Sequence, residues 1–294
     1  MKILYIAEIV GKAGIHGVKH ALAELKRRHG ASFVIACADG ATGGNGLGRN
    51  HAAYLRKLGA DVLTTGECCF YKKDLVENLE KIPYVLRPEN LNPGAPGHGS
   101  RIFKAGNEKI ALAVLIGQSG FSKLHGDNPV ARLPALLERL RQETPYVILD
   151  FHAEATAEKR TLFAAADGLC SAVIGSHSRV QTADEEVLPG GTAVITDAGR
   201  TGSLNSVGGS EIEGRLQEYL TGIPDWTREA WDQPEIQGVI LDLDSRGKAR
   251  SITRFREAVP PAVPAAASAS PPRPANQAAS PEEADDETDA QEAP

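Results

Sequence analysis

The stretch that decides the fold is YVILDFH at residues 146–152, where a short apolar run leads directly into a histidine. Buried parallel strands have this composition. Four further apolar runs also end at a side chain able to bind a metal ion: Lys2–Ala7 before Glu8, Phe33–Ala38 before Asp39, Val62–Thr65 before Glu67, and Ala172–Gly175 before His177. Ligands bind at the carboxyl ends of strands in open α/β sheets, so the pattern predicts one cleft containing three carboxylates and two imidazoles. Such donors suit a hard or borderline divalent cation.

Helical patterns separate these runs, at residues 17–28, 49–58, 74–80 and 131–142. Two turns, Gly106-Asn107 and Asp244–Gly247, each connect two apolar runs in the manner of a β-hairpin. We therefore predict an α/β protein with mixed sheets. The glycine-rich loop Gly43–Gly46 lacks the lysine of a P-loop, and it is either a phosphate cradle or a turn that passes close to the cleft.

The bulk composition is that of an ordinary soluble globular protein, with 294 residues, 41% of them hydrophobic and 24% charged. No apolar stretch has the length of a transmembrane helix. The four cysteines (Cys37, Cys68, Cys69, Cys170) do not have the spacing of a disulfide scaffold. We therefore predict a protein of the reducing cytoplasm that has no membrane partner.

The last part of the chain, residues 258–294, differs in composition from the rest. Proline, alanine and serine dominate its first half, and its second half supplies seven acids against one base. This tail carries the whole net charge of −6, so residues 1–257 are neutral overall and present no clear nucleic-acid surface. We predict one domain over residues 1–257 followed by a disordered, solvated tail, with solubility or partner capture as its alternative roles.

Several segments resemble the bacterial YmdB-like metallophosphoesterases, and the resemblance extends over residues 1–257. These segments are Lys2–Gly11, Asp150–Thr156, Gly175–Ser178, Gln181–Asp184, Pro189–Ala193 and Thr196–Gly199. The resemblance implies a calcineurin-like phosphoesterase fold, a sandwich of two mixed β-sheets flanked by helices. It also implies two-metal hydrolysis of phosphodiesters such as 2′,3′-cyclic nucleotides, a small phosphodiester or nucleotide as the bound partner, and assembly into homo-oligomers.

The chain departs from the family pattern at the positions that hold the metals. The family has Asp at position 8, Glu-Asn at 39–40, Asn-His at 67–68 and His at 179; this chain has Glu8, Asp39-Gly40, Glu67-Cys68 and Arg179. An arginine side chain cannot ligate a cation. We therefore predict that Arg179 occupies the first metal position and pairs with Glu8 or Asp39. In the alternative, Arg179 points to solvent. Glu8, which is one methylene longer than the family Asp, is a further candidate metal ligand.

The second metal position keeps more of its ligands. Asp39, Glu67, His152 and His177 supply oxygen and nitrogen donors, a set suited to one Mn²⁺, Fe²⁺ or Zn²⁺. We expect one divalent ion at most, or none. The alternative for His152 is a hydrogen-bonded interior histidine. Cys68 stands where the family has its general acid. It is either a small buried residue or, in the alternative, a reactive thiol or a soft metal ligand.

Two functions follow from these residues. In the first, the protein is a phosphodiesterase with a reduced, one-metal centre, whose activity is weak or lost. In the second, it is a non-catalytic relative that binds a nucleotide, a metal or a protein partner. The fold alone does not distinguish the two.

Overall fold

The computed structural model describes residues 1–224 and 228–260 and contains two β-sheets with helices on their outer faces. The strands are β1 (Lys2–Ile6), β2 (Glu8–Ile9), β3 (Phe33–Cys37), β4 (Val62–Thr64), β5 (Val85–Leu86), β6 (Ser100–Ala105), β7 (Glu108–Ile116), β8 (Val147–His152), β9 (Ala172–Ser176), β10 (Glu186–Val187), β11 (Ala193–Ile195), β12 (Arg200–Ser203), β13 (Pro234–Leu243) and β14 (Ala249–Ala258). The helices are α1 (Gly11–His29), α2 (Arg49–Leu58), α3 (Lys73–Val76), α4 (Pro129–Arg141), α5 (Thr156–Ala166) and α6 (Ile212–Thr221).

Both sheets are mixed, as predicted. The first has the order β2-β12-β13-β1-β3-β4-β5, with β14 paired to β13; β1, β3, β4 and β5 are parallel, and β13 is antiparallel to β1. The second has the order β10-β11-β9-β8-β7-β6, with a parallel centre. In β8 and β9, His152 lies opposite Ser176. The carboxyl ends of these two strands are therefore level with each other.

The main core lies between the sheets. Tyr5 and Phe33 of the first sheet belong to the same buried cluster as Leu112 and Ile148 of the second. On the outer faces, α1 and α2 cover the first sheet, and α4 and α5 cover the second. The central strands are buried on both faces, which is why they are continuous apolar runs instead of alternating ones.

The predicted hairpins are confirmed by β6 with β7 and by β13 with β14. The predicted helix at residues 74–80 is wrong. The chain forms the one-turn helix α3 and then a separate 3₁₀ turn at Leu79–Lys81. Asn78 interrupts the helix: its side-chain amide donates a hydrogen bond of 2.9 Å to the Asp74 carbonyl oxygen. Asparagine commonly competes with helix formation in this way.

The folded body extends three residues beyond the predicted boundary at residue 257. Strand β14 includes Ala258, and the buried Val259 donates its backbone N–H to the carbonyl oxygen of Pro234 at 2.8 Å. These residues continue the ladder with β13, which sequence composition alone did not indicate. The rest of the predicted tail, residues 261–294, lies outside the described residues. Within the described part of the chain, no helix is both long and apolar enough to cross a bilayer.

Candidate metal centre

The structure brings together all five side chains that the sequence placed at strand ends. Glu8, Asp39, Glu67, His152 and His177 lie at or just beyond the carboxyl ends of parallel strands. Ligand atoms of Glu67 and the two histidines lie within 4.8 Å of one another, and an atom of Glu8 lies equally close to His152. The spatial convergence is thus a feature of the fold, whereas the role of each residue as a ligand stays a prediction.

Glu67, His152 and His177 form the tightest group of donors. Glu67 Oε2 is hydrogen-bonded to His152 Nε2 and lies 3.3 Å from His177 Nδ1. The two histidine nitrogens are 3.2 Å apart. Tetrahedral coordination at bonds of about 2.0–2.1 Å separates its donor atoms by about 3.3 Å. The two separations about His177 match this value, whereas Glu67 Oε2 and His152 Nε2 are in direct hydrogen-bond contact and would have to move apart around an ion. Two imidazoles and one carboxylate are donors that suit a single divalent ion of the zinc, manganese or iron type.

His152 is held in its orientation by a buried relay of hydrogen bonds. Its Nδ1 lies 3.0 Å from Ser176 Oγ, and that hydroxyl donates to Asp150 Oδ1 at 2.7 Å. Tyr5 Oη and Thr64 Oγ1 both donate to the other oxygen of Asp150. Partners of this kind fix the ring of a metal-binding histidine and direct its free nitrogen to the site. The relay therefore directs Nε2 toward Glu67 and His177.

Asp39 lies at the back of the group and is fully buried. Its two oxygens accept the backbone N–H groups of Gly66 at 2.6 Å and Cys68 at 3.1 Å, and Oδ2 lies 3.7 Å from His152 Nε2. Burial and the nearby Glu67 carboxylate raise the pKa of Asp39 to about 8. Burial acts on Glu67 in the same direction, but His152 and His177 outweigh it and lower the pKa of Glu67. The pocket thus keeps Glu67 as its charged carboxylate.

Arg179 lies inside the cleft and is paired with Glu8, one of the two partners predicted for it from the sequence. The Nε and Nη2 atoms of Arg179 lie 2.9 and 2.7 Å from Glu8 Oε1. Its terminal nitrogens also donate to the carbonyl oxygens of Gly44 and Gly208, both at 2.9 Å. The alternative in which Arg179 points to solvent is therefore wrong. The guanidinium thus places a permanent positive charge against Glu8, and its replacement of a metal ion at this position stays a prediction.

Gly40 provides the space in which the Arg179 guanidinium lies. A Cβ atom at position 40 would lie 2.9 Å from Arg179 Nη2 and 3.0 Å from Glu8 Oε1. The asparagine that the family pattern has at this position would therefore collide with the ion pair. Gly66 has a similar role beside the histidines, because a Cβ there would lie 2.2 Å from the His152 ring. Two glycines thus allow the close packing of this centre.

The second oxygen of Glu8 has no hydrogen-bond partner within the described part of the chain, although it is buried. An unpaired buried acceptor of this kind costs about 1–3 kcal/mol. Such groups are rare in folded proteins and each one calls for an explanation. Here the acceptor belongs to the carboxylate that pairs with Arg179 through its other oxygen.

The turn that carries His177 and Arg179 has an unusual backbone. His177 has a φ of 97° and Arg179 a φ of 59°, values that side chains other than glycine rarely adopt. Between them, the backbone N–H of Ser178 donates to Asp197 Oδ2 at 2.8 Å. Lys159 Nζ donates to the same oxygen at 3.1 Å, and both members of this ion pair are 0% exposed. A buried ion pair thus holds the strained turn in place.

Cys68, which the family resemblance predicts to stand at the position of the general acid, is buried. Burial, followed by the charges of Asp39 and Glu67, raises the pKa of its thiol. A thiol of this kind is a weak proton donor and a poor nucleophile. Its environment favours the interpretation of Cys68 as a small buried residue over that of a reactive thiol.

Two packed mixed sheets, with carboxylates and histidines at their adjoining strand ends, define a calcineurin-like phosphoesterase fold. The chain belongs to the YmdB-like protein family, whose model matches residues 4–255. It is 36% identical over 248 residues to the 2′,3′-cyclic-nucleotide 2′-phosphodiesterase of Bacillus subtilis, a match that covers 84% of this chain and 93% of the relative.

Two solved structures have the same fold. A hypothetical protein from Thermus thermophilus is 33% identical, with a TM-score of 0.82 over 88% of this chain and 100% of the other. A phosphatase from Mycoplasma pneumoniae is 30% identical, with a TM-score of 0.82 over 88% of this chain and 93% of the other. The resemblance seen in the sequence motifs, and the fold it implied, are thereby confirmed.

Sequence reasoning did not identify the residues that support the centre. Asp150 was part of a motif but had no role, although it precedes His152 by two positions on the same strand and so shares its face. That spacing was a usable signal. The Lys159–Asp197 pair has no recognisable signal in the sequence, because its two members are 38 positions apart. Cys37, whose sulfur lies within 4.8 Å of ligand atoms of Glu8 and His152, was likewise counted only as a free cysteine.

Proposed function

We propose that this protein is a metal-dependent phosphodiesterase that acts on small phosphodiesters of the 2′,3′-cyclic nucleotide type. The observation that carries the proposal is the convergence of Glu67 Oε2, His152 Nε2 and His177 Nδ1, with spacings of 3.2–3.3 Å about His177. The name of the Bacillus subtilis relative supports the substrate class. We propose that these three residues bind one divalent ion as the cofactor, with Asp39 beside them as a fourth donor.

A divalent ion bound there would supply Lewis-acid polarisation of a phosphoryl oxygen. The chain's own residues supply the rest. Glu67, His152 and His177 would hold the ion, and the Ser176–Asp150 relay keeps the His152 ring in the orientation that ligation requires. The Arg179 guanidinium, fixed by Glu8 and two carbonyl oxygens, places a permanent positive charge where the family has its first metal. A charge so placed stabilises negative charge on phosphoryl oxygens.

Proton donation to the leaving oxygen is the weak step of this centre. Cys68 is buried, and the raised pKa of its thiol makes it a poorer acid than the family histidine. General acid catalysis typically contributes about 10²–10⁴-fold to a rate, so we propose a turnover lower by roughly that factor than in relatives that keep the histidine.

The replacement of two expected site residues, by Arg179 and by Cys68, favours a second candidate function. A centre with Arg179 in the first metal position and a thiol at the acid position suits a non-catalytic module that binds a nucleotide, a metal or a protein partner. Two further proposals, a cytoplasmic location and homo-oligomeric assembly, rest on the four unpaired cysteines and on the family resemblance respectively.

Turnover with a defined metal distinguishes the two candidates. We expect the full chain, supplied with Mn²⁺, to hydrolyse bis-p-nitrophenyl phosphate and 2′,3′-cyclic AMP. Hydrolysis should stop when a chelator removes the ion. The Cys68→His variant should hydrolyse 2′,3′-cyclic AMP faster, because it places an imidazole where the ribose oxygen needs a proton as it leaves. Hydrolysis of bis-p-nitrophenyl phosphate should change little, because p-nitrophenolate leaves without a proton. Absence of turnover in both proteins, with normal binding of 2′,3′-cyclic AMP, would favour the binding module.

A further inference from the structure

An open cavity of about 130 Å³ lies against the donor group, and Glu67 and His177 form part of its wall. The remaining wall comes from Tyr71 and from residues 120–124. Because the cavity shares two of the three proposed ligands, a molecule bound in it has its reacting end at the metal centre. The function proposed above assigns no role to the rest of this cavity.

Tyr71 is the distinctive residue of the cavity. Tyr71 is 45% exposed, so its ring is accessible from solvent at the wall of the cavity. It lies on the same short segment as Glu67, and its backbone N–H donates to the Cys68 carbonyl oxygen at 3.0 Å. The ring is therefore attached close to the metal centre by a turn that also carries Glu67.

Two neighbours complete this end of the cavity. Phe121 is nearly buried, and its ring packs edge-on against His177 with the ring centroids 5.0 Å apart. The Lys123 ammonium lies over the Tyr71 ring, 5.6 Å from its centroid. A lysine on a flexible stem leaves such a position easily, and it then offers a positive charge to a phosphate. The cavity therefore combines an accessible aromatic face with a movable cation.

From this arrangement we infer that Tyr71 stacks against the nucleobase of the substrate while Lys123 moves to the phosphate. The inference rests on the proposed phosphodiesterase function and extends it to the choice of substrate. Aromatic side chains that stack on bases do so for all base types, since every base has a π-face. The cavity should therefore favour nucleotides over phosphodiesters without a base, with little preference among bases.

A second cavity, of about 270 Å³, lies on the Arg179 side of the cleft and is a weaker candidate for the base. Its described wall consists of glycine-rich backbone and polar or charged side chains with one valine, and it contains no aromatic ring. The donors that Arg179 directs toward this wall are already bonded to the Gly44 and Gly208 carbonyl oxygens. The Tyr71 cavity thus has the better chemistry for a nucleobase.

Equilibrium binding tests the inference independently of turnover. Calorimetry on the metal-loaded full chain compares adenosine 3′-monophosphate with 1-O-methylribose 3-phosphate, which lacks a base. Both ligands carry the phosphate monoester that hydrolysis leaves, so no phosphodiester is cleaved during the titration. Tyr71→Ala should weaken binding of the nucleotide about tenfold or more and leave binding of the base-free ligand unchanged. Tyr71→Phe keeps the ring and should stay within about twofold of the wild type. Tyr219→Ala, at an 82% exposed tyrosine on α6, is the matched control.

The inference is overturned if Tyr71→Ala binds the nucleotide as well as the wild type does, or if the wild type does not bind it. Its failure is distinguishable from failure of the proposed function. If 2′,3′-cyclic AMP is hydrolysed but nothing depends on Tyr71, the phosphodiesterase function is supported and the stacking of the base on Tyr71 is contradicted. If binding depends on Tyr71 but no hydrolysis occurs, the stacking is supported and the catalytic function is contradicted.

Discussion

Replacing Lys159 with methionine is expected to lower the free energy of unfolding by about 3–5 kcal/mol, because it leaves a buried carboxylate without its counter-charge. Lys159 Nζ lies 3.1 Å from Asp197 Oδ2, and neither side chain is exposed. Methionine keeps most of the apolar stem and removes only the ammonium group, so lost packing contributes little. Chemical denaturation of the two proteins under the same conditions measures the difference.

The neighbouring residue on α5 provides a matched control. Arg160 also forms an ion pair, with Glu186 at 2.8 Å, but its side chain is 44% exposed. Pairs of this kind contribute about 0–1 kcal/mol, so Arg160→Met should change stability little. The double variant Lys159→Met with Asp197→Asn should recover part of the loss, since it removes the buried charge as well. A loss below about 1 kcal/mol in Lys159→Met would show that the pair does not support the turn at Ser178.

Replacing His152 with alanine is expected to reduce turnover of bis-p-nitrophenyl phosphate by about a thousandfold or more, because a metal contributes several kcal/mol to phosphoryl chemistry. The variant removes the donor that contacts Glu67 and is aligned by Ser176. Steady-state kinetics with Mn²⁺ measures the loss, and far-ultraviolet circular dichroism checks that the variant is folded.

A graded series tests whether this loss comes from the metal centre. Ser176→Ala removes only the hydroxyl that orients the ring and should reduce activity or metal affinity by about 10–100-fold. His20→Ala, at an exposed histidine on α1, should have no effect. If His152→Ala retained more than a tenth of wild-type turnover, the assignment of His152 as a ligand would be wrong.

Much of the fold is predictable from the sequence for one physical reason. The central strands are buried on both faces, so each one consists of a short run of apolar residues. Neighbouring parallel strands end side by side at the same edge of their sheet. A polar residue after such a run, as at Glu67 or His177, therefore belongs to a shared cleft. The helix at residues 74–80 was predicted wrongly because a single hydrogen bond from Asn78 to the backbone outweighs helical periodicity.

The supporting residues depend on tertiary contacts that have no local pattern. Lys159 occurs in a polar stretch of α5, where a lysine is ordinarily exposed, and only the position of Asp197 explains its burial. The exchange of a metal ligand for Arg179 was visible as a departure from the family pattern. The space that Gly40 leaves for the guanidinium was not visible in the sequence. To recognise it, one must know how close residues 40 and 179 lie in the folded chain.

The number of divalent ions bound per chain tests the central claim most directly. After reconstitution with excess Mn²⁺ or Zn²⁺ and removal of free metal, elemental analysis of the wild-type protein should give one ion per chain. The Arg179→His variant, which restores the family ligand, should bind a second ion more readily. If the wild-type protein binds two ions, the claim that Arg179 occupies the first metal position is contradicted. If it binds no ion, the proposed site at Glu67, His152 and His177 is contradicted.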